Sequence, residues 1–279
     1  MNPVTPIFTI DLLPQLHAEL LALLKSLSDE DWNKPTVARA WSVKDIAAHL
    51  LDGDLRRLSL QRDQAPLPQP ESPLASYGEL TAFLNRLNAE WVQAAKRLSP
   101  RILIGLLEWS GEQVGQFFKT LDPYGTAPFA VAWAGEETSL NWFDTAREYT
   151  ERWHHQQQIR DAVGASGLTS RKWLHPVLDT FLRALPHAYR EVRPNEGTLI
   201  SFEVTGEAGG EWTFGRENGA WHLYAGSSQH SACQVRLDQD TAWRMMTKGL
   251  PRDQAAARLE IGGEQSLGTP ILGMLAVMA

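Results

Sequence analysis

The sequence predicts a two-domain α+β chain, with an all-α first domain over residues 1–165 and an α+β second domain over residues 166–279. Three observations carry that expectation. As far as Gly164, apolar residues recur at helical spacing in one long stretch after another. From Thr198 the pattern changes to alternation, as in TLISFEVT and AWHLY. Between them lies ASGLTS, short and rich in small residues, which reads as a linker.

The first helix is expected over residues 11–28. Leu12, Leu13, Leu16, Leu20, Leu23, Leu24 and Leu27 keep helical spacing there, and Pro14 falls in the first turn, where its missing N–H is harmless. Residues 28–40 are polar, contain Pro35 and form a loop. Ser42 opens the second helix as N-cap, with Asp45 as its capping-box partner. Val43, Ile46, Ala47, Leu50, Leu51, Leu55 and Leu58 make its inner face. Residues 64–73 hold Pro66, Pro68, Pro70 and Pro73 and must run as an extended loop. A third helix covers residues 76–98. Ser99-Pro100 then restarts the chain, with Ser as cap and Pro at the first helical position. The fourth helix, residues 102–120, is weakened by Gly105, Gly111 and Gly115. Residues 121–138 form a loop whose apolar members, Tyr124, Phe129, Val131 and Trp133, imply that it covers something such as a cleft. The fifth helix spans residues 139–163 and stops at Gly164.

In the second half, residues 174–192 read as one helix or two short ones, with Pro176 and Pro186 as breaks. Strands are expected at 198–205, 211–216, 220–224 and 233–237, the middle two joined through Glu217-Asn218-Gly219. A helix over 240–248 is capped by Asp240. A short helical or extended piece follows at 254–260. An apolar C-terminal helix, 269–278, opens at Thr269-Pro270.

Composition excludes several classes. The formal net charge of -7 disfavours general nucleic-acid binding. No apolar run is long enough to span a membrane, and the N-terminus lacks the basic and apolar regions of a signal peptide. The single cysteine, Cys233, fits a reducing cytoplasm and rules out a multi-cysteine metal site. It lies in an expected strand with no activating partner, so it reads as a buried residue and not as a nucleophile. The eleven tryptophans read chiefly as core filler, the remainder as pocket lining.

The stretch REYTERWHHQQQIRD, residues 147–161, concentrates the chemistry. It has no Gly or Pro, and on a helix Glu151 and His155, four apart, share a face. Glu148 lies on the same stripe. Two carboxylates and an imidazole suit zinc, which takes nitrogen and carboxylate oxygen ligands, although further ligands must come from elsewhere. The alternative is a solvated polar face. His49 falls among the apolar positions of the second helix, either as a core histidine or as a functional one. Asp52, three residues on, either orients it or faces water.

WSVKDIAAHLLDGDLRRLS, residues 41–59, resembles the second-helix signature of the DinB-like superfamily. It is most similar to the metal-binding N-terminal domain of mycothiol-dependent maleylpyruvate isomerases. Residues 147–164 resemble the last bundle helix of that family. VRLDQDTAWRMMTKG and EIGGEQSLGTPILGMLAVMA are similar to its sterol-carrier-like second domain. The resemblance implies a DinB-like four-helix bundle followed by an α+β sterol-carrier-like domain. It implies one divalent metal, zinc with nickel as the alternative, held by His49, Glu151 and His155. Three ligands leave an open position for water or a thiolate. His154 is the other choice for the last ligand, but spacing from Glu151 favours His155.

The same resemblance implies a low-molecular-weight thiol such as mycothiol as co-substrate, and a transferase or cis–trans isomerase acting on a small electrophile. Arg236, Arg56 and Arg57 are candidate cations for an anionic substrate. The alternative reading is a non-catalytic, metal-containing protein that binds a small molecule or lipid. Neither reading needs a nucleic acid or a membrane, and the sequence leaves the oligomeric state open.

Overall fold

A computed structural model describes residues 1–66, 70 and 76–277. Most of the expected proline-rich loop, residues 67–69 and 71–73, lies outside the described residues, as does residue 278. The chain divides into two compact units. One comprises residues 9–128 and 151–167, and the other residues 1–8, 129–150 and 168–277. No described helix is long and apolar enough to cross a membrane.

The first unit is a helical bundle. Its helices are α1 (Leu13–Ser26), α2 (Val43–Arg57), α3 (Tyr77–Ala95), α4 (Pro100–Phe118) and the second half of α5 (Asn141–Val163). Sequence signals set their ends. Ser99 caps α4 by accepting from the Ile102 amide, and Ser76 caps α3 from the Glu79 amide. Beyond α5, Gly164 adopts a left-handed conformation at φ +70° that a side chain would resist. One apolar core unites the bundle: Leu20 and Leu24 of α1, Ile46 and Leu51 of α2, Leu103 and Leu107 of α4, and Ile159 of α5. α3 joins through Ala95 and through the Trp91 indole, which donates to the Ala48 carbonyl at 2.8 Å.

The glycines of α4 are not equivalent. A methyl group added at Gly111 would sit 2.2 Å from the His17 imidazole, so this glycine admits the α1 side chain. Gly105 is exposed and a methyl there meets nothing within 4 Å. Opposite signs are expected in urea unfolding. Gly105→Ala should stabilise by about 0.5–1 kcal/mol through helix propensity. Gly111→Ala should destabilise by about 1–3 kcal/mol through overpacking, partly offset by the same propensity gain.

The second unit is built on a six-stranded sheet in the order β1-β4-β3-β2-β5-β6. The strands are β1 (Asn2–Pro3), β2 (Leu199–Thr205), β3 (Gly210–Glu217), β4 (Ala220–Ala225), β5 (Cys233–Asp238) and β6 (Glu260–Gly263). β2 and β5 are parallel, and the other pairs are antiparallel. The β3–β4 turn is Asn218-Gly219, both at positive φ, with Glu217 already paired to Ala220. Ile200, Phe202, Val204, Trp212, Phe214, Val235 and Leu237 are buried. With them pack α6 (Arg171–Leu182), α7 (Leu185–Ala188) and α8 (Gln239–Met246), and beside these lie α9 (Arg252–Ala256) and α10 (Gln265–Gly268).

Several expectations need correction here. Pro176 lies inside α6 and does not end it. α8 is capped by Asp238, whose carboxylate accepts from the Asp240 and Thr241 amides at 3.0 Å each. Asp240 instead turns outward to Arg244 at 2.9 Å. The expected C-terminal α-helix is a 3-10 turn, Thr269–Gly273, followed by extended chain. Trp133 does not line a cleft. It is buried in its own unit, edge-on to Phe143 at 5.9 Å and to Phe181 at 6.3 Å. Val131 is buried as well, whereas Tyr124 and Phe129 are exposed.

Candidate functional site

The site forms in the bundle unit between α2 and the second half of α5. The start of α2 is fixed by a capping box: the Ser42 amide donates to the Asp45 carboxylate at 3.0 Å and the Asp45 amide to the Ser42 hydroxyl at 3.3 Å. A bridge between Pro35 and Ser42 and the Thr36 hydroxyl donating to the Trp41 carbonyl at 2.8 Å hold the incoming segment. This places His49 near the middle of α2 and Trp41 just ahead of it. The Trp41 ring lies 4.8 Å from the His49 ring and 6.2 Å from the His155 ring.

On α5, the His155 ring meets the His49 ring edge-on, with centroids 4.7 Å apart. His155 Nε2 stands 3.3 Å from Glu151 Oε2. That is longer than the roughly 2.7–2.9 Å of a charge-assisted hydrogen bond. It equals the edge, about 3.3 Å, of a tetrahedron whose centre makes zinc–nitrogen bonds of about 2.0 Å. His49, Glu151 and His155 are thus gathered, and the set of two imidazoles and one carboxylate suits a borderline divalent metal. As the side chains are placed, no group of three His, Cys, Asp or Glu among the described residues closes to metal-holding distance.

His154 faces otherwise. Its Nε2 accepts from the Gln158 amide at 3.2 Å, while the Gln158 amide oxygen accepts from His155 Nδ1 at 2.8 Å. Burial first and His155 second, with Glu151 opposing, hold the His154 pKa down to about 3. His154 is therefore neutral at physiological pH.

The same two helices also share a buried polar cluster. Arg152 donates to Asp54 at 2.5 Å, and the Ser110 hydroxyl donates to the other Asp54 oxygen at 2.6 Å. The pair links α2 to α5, the two helices that carry His49 and His155. The His17 pKa is lowered by burial, with Asp54 opposing and Arg152 reinforcing the shift.

The remaining candidates are engaged elsewhere. Asp52 does not orient His49: it pairs with Arg56 at 3.0 Å, and burial raises its pKa against the pull of that arginine. Arg56 also reaches Asn88 at 3.1 Å. Arg57 is buried, donates to Gln61 and lies over the Phe118 ring. Arg236 is on the sheet, paired with Glu203 at 3.3 Å and Glu260 at 3.5 Å. Glu148 neighbours Arg147 at 3.6 Å. Cys233 is buried and its thiol pKa is pushed up to about 11, first by burial and then by Glu264, which removes it as a nucleophile. Reasoning from sequence missed Trp41 and Gln158. Gln158 could have been found from its spacing, three residues after His155 and four after His154. Nothing in the local pattern aimed Trp41 at the histidines.

The family described as mycothiol maleylpyruvate isomerase N-terminal domain matches residues 13–160. Among solved structures, the chain is similar to a histidine-to-alanine mutant of mycothiol-dependent maleylpyruvate isomerase. The identity is 12%, over 85% of this chain and 86% of that one, with a TM-score of 0.53. The unsubstituted isomerase gives 11% identity over the same shares and a TM-score of 0.49. A UbiJ-SCP2 ubiquinone synthesis protein aligns with 39% of this chain and 95% of its own at 16% identity, with a TM-score of 0.26. No curated protein matches the chain. At 12% identity the likeness to the first of these establishes fold alone.

Proposed function

The chain belongs to the mycothiol maleylpyruvate isomerase N-terminal domain family, and from that premise we propose that it is a metal-dependent enzyme that uses a low-molecular-weight thiol such as mycothiol. The reaction class is S-transfer or cis–trans isomerisation of a small electrophile resembling maleylpyruvate. The observation that carries this reading is the meeting of His155 with both the His49 ring and the Glu151 carboxylate, the latter at a tetrahedral-edge distance of 3.3 Å.

In this reading His49, Glu151 and His155 hold one divalent metal, zinc or nickel. Such an ion, left with net positive charge by two neutral imidazoles and one carboxylate, lowers a bound thiol's pKa from its usual value of about 8.5, so that thiolate exists at neutral pH. The protein's own groups do the rest. Trp41 walls the two imidazoles on one side and limits water there. His154, kept neutral, adds no competing positive charge beside the site. The Glu151 side chain is 25% exposed against 10% for His155, so the carboxylate marks the solvent side, from which thiol and substrate enter.

The chemistry then balances simply. A sulfur lone pair forms a C–S bond to an activated alkene carbon, and the alkene π pair moves into the adjoining acceptor. Rotation about the carbon–carbon bond that was the alkene, followed by return of the electron pair to re-form the double bond as the C–S bond breaks and thiolate leaves, gives the trans isomer. In the transfer reaction a leaving group departs with its bonding pair and sulfur stays on carbon.

The test is a conjugation and isomerisation assay of the full chain with mycothiol, bacillithiol, glutathione and cysteine against maleylpyruvate and simple chloroarenes. Turnover should require metal and thiol together and vanish when the metal is stripped. Metal-loaded protein that consumes none of these pairs would overturn the catalytic reading.

A further inference from the structure

We propose that Gln158 is the positioning residue of this site, fixing two adjacent histidines both as Nδ1–H tautomers while engaging opposite ring nitrogens, so that only His155 is left with a lone pair to offer toward Glu151. The inference rests on the metal reading for its purpose, but its geometry stands without a metal.

A primary amide is chemically asymmetric: its oxygen only accepts and its nitrogen only donates. Gln158 lies three residues after His155 and four after His154, so on one helix it reaches both rings. Its oxygen is 2.8 Å from His155 Nδ1, which must therefore carry the proton and donate. Its nitrogen is 3.2 Å from His154 Nε2, which must therefore be bare and accept. With the His155 proton fixed on Nδ1, Nε2 carries the lone pair, and that atom is the one facing Glu151 at 3.3 Å. His154 has its Nε2 lone pair committed to the amide. A single side chain thus prepares one imidazole as a ligand and retires its neighbour. Outer hydrogen-bond partners of this kind fix the tautomer and raise the basicity of ligating histidines.

The alternative is that Gln158 merely fills space between two buried rings. The two ideas differ in three measurements on the full chain. In metal-free wild-type protein with nitrogen-15-labelled histidine, long-range proton–nitrogen spectra should show His155 as the Nδ1–H tautomer and His154 also as Nδ1–H. Gln158→Leu should shift His155 toward the Nε2–H form and weaken cobalt binding roughly 10–100-fold, with the helical circular dichroism retained. Gln158→Glu, which can still accept from His155 but cannot donate to His154, should restore the His155 tautomer and most of the cobalt affinity.

A purely space-filling role predicts no such rescue, since a buried carboxylate is a worse filler than leucine. His155 found as Nε2–H in the metal-free wild type, or a Gln158→Leu protein with unchanged tautomers, would overturn the proposal. The spectra decide this even if cobalt fails to bind wild-type protein, an outcome that would count against the metal reading and not against the role of Gln158.

Discussion

Asp54→Ala is expected to destabilise the bundle by about 3–5 kcal/mol, the usual cost of breaking a buried ion pair by removing one partner. Asp54 is fully buried, and its oxygens are engaged by Arg152 at 2.5 Å and by the Ser110 hydroxyl at 2.6 Å. Removing the carboxylate takes from the buried Arg152 guanidinium its acceptor at 2.5 Å. Replacing both partners with apolar residues, as in Asp54→Leu with Arg152→Met, should recover most of the loss, because the desolvation penalty then disappears with the charges. Urea unfolding followed at helical wavelengths reads both variants. If Asp54→Ala unfolds within about 1 kcal/mol of wild type, as an exposed pair would, this pair is not the tie between α2 and α5 that its burial implies.

His155→Ala is expected to abolish stoichiometric metal binding. In the proposed site this side chain sits between the other two donors, touching the His49 ring and approaching Glu151. With it gone, two protein ligands remain, one short of the three that catalytic zinc sites use. His154→Ala should leave about one equivalent bound, because His154 is turned toward Gln158. Elemental analysis after reconstitution and dialysis reads both. The reverse outcome, loss with His154→Ala and retention with His155→Ala, would move the ligand by one residue.

The two halves of the fold were not equally legible from sequence. Helices announced by a polar cap and a following apolar stripe came out within a few residues, as at Ser42, Ser76 and Ser99. So did the Asn218-Gly219 turn, because few other sequences tolerate two successive positive φ angles. Strands whose existence depends on a distant partner were invisible: among the described residues Asn2–Pro3 pairs with β4, and Glu260–Gly263 with β5. Neither has a periodic pattern of its own. The C-terminal apolar run misled because burial alone does not specify helix. Asp238 and Asp240 illustrate the limit of capping rules: both are good caps, and only the backbone conformation, extended at Asp238 with ψ 158°, decides between them.

At the site, the Glu151–His155 spacing was readable because a helix places residues four apart on one face. Pairing it with His49 rested on resemblance, since no periodicity within one helix predicts which residue of another will meet it. Trp41 was missed for the same reason, because its contact with the histidines arises from how the segment before α2 folds back at Pro35 and Ser42. Trp133 shows the converse error. An aromatic in an irregular segment looked like pocket lining and is core, because Phe143 and Phe181 supply the other faces of its cluster.

X-ray absorption at the zinc edge, on tag-free reconstituted protein with and without mycothiol, reads whether His49, Glu151 and His155 hold a thiol-binding zinc. About one zinc per chain is expected, with a light-atom shell that includes two imidazoles, and a new zinc–sulfur distance of about 2.3 Å when the thiol is added. Protein that retains no zinc, or zinc whose first shell lacks imidazole and gains no sulfur, would contradict that reading.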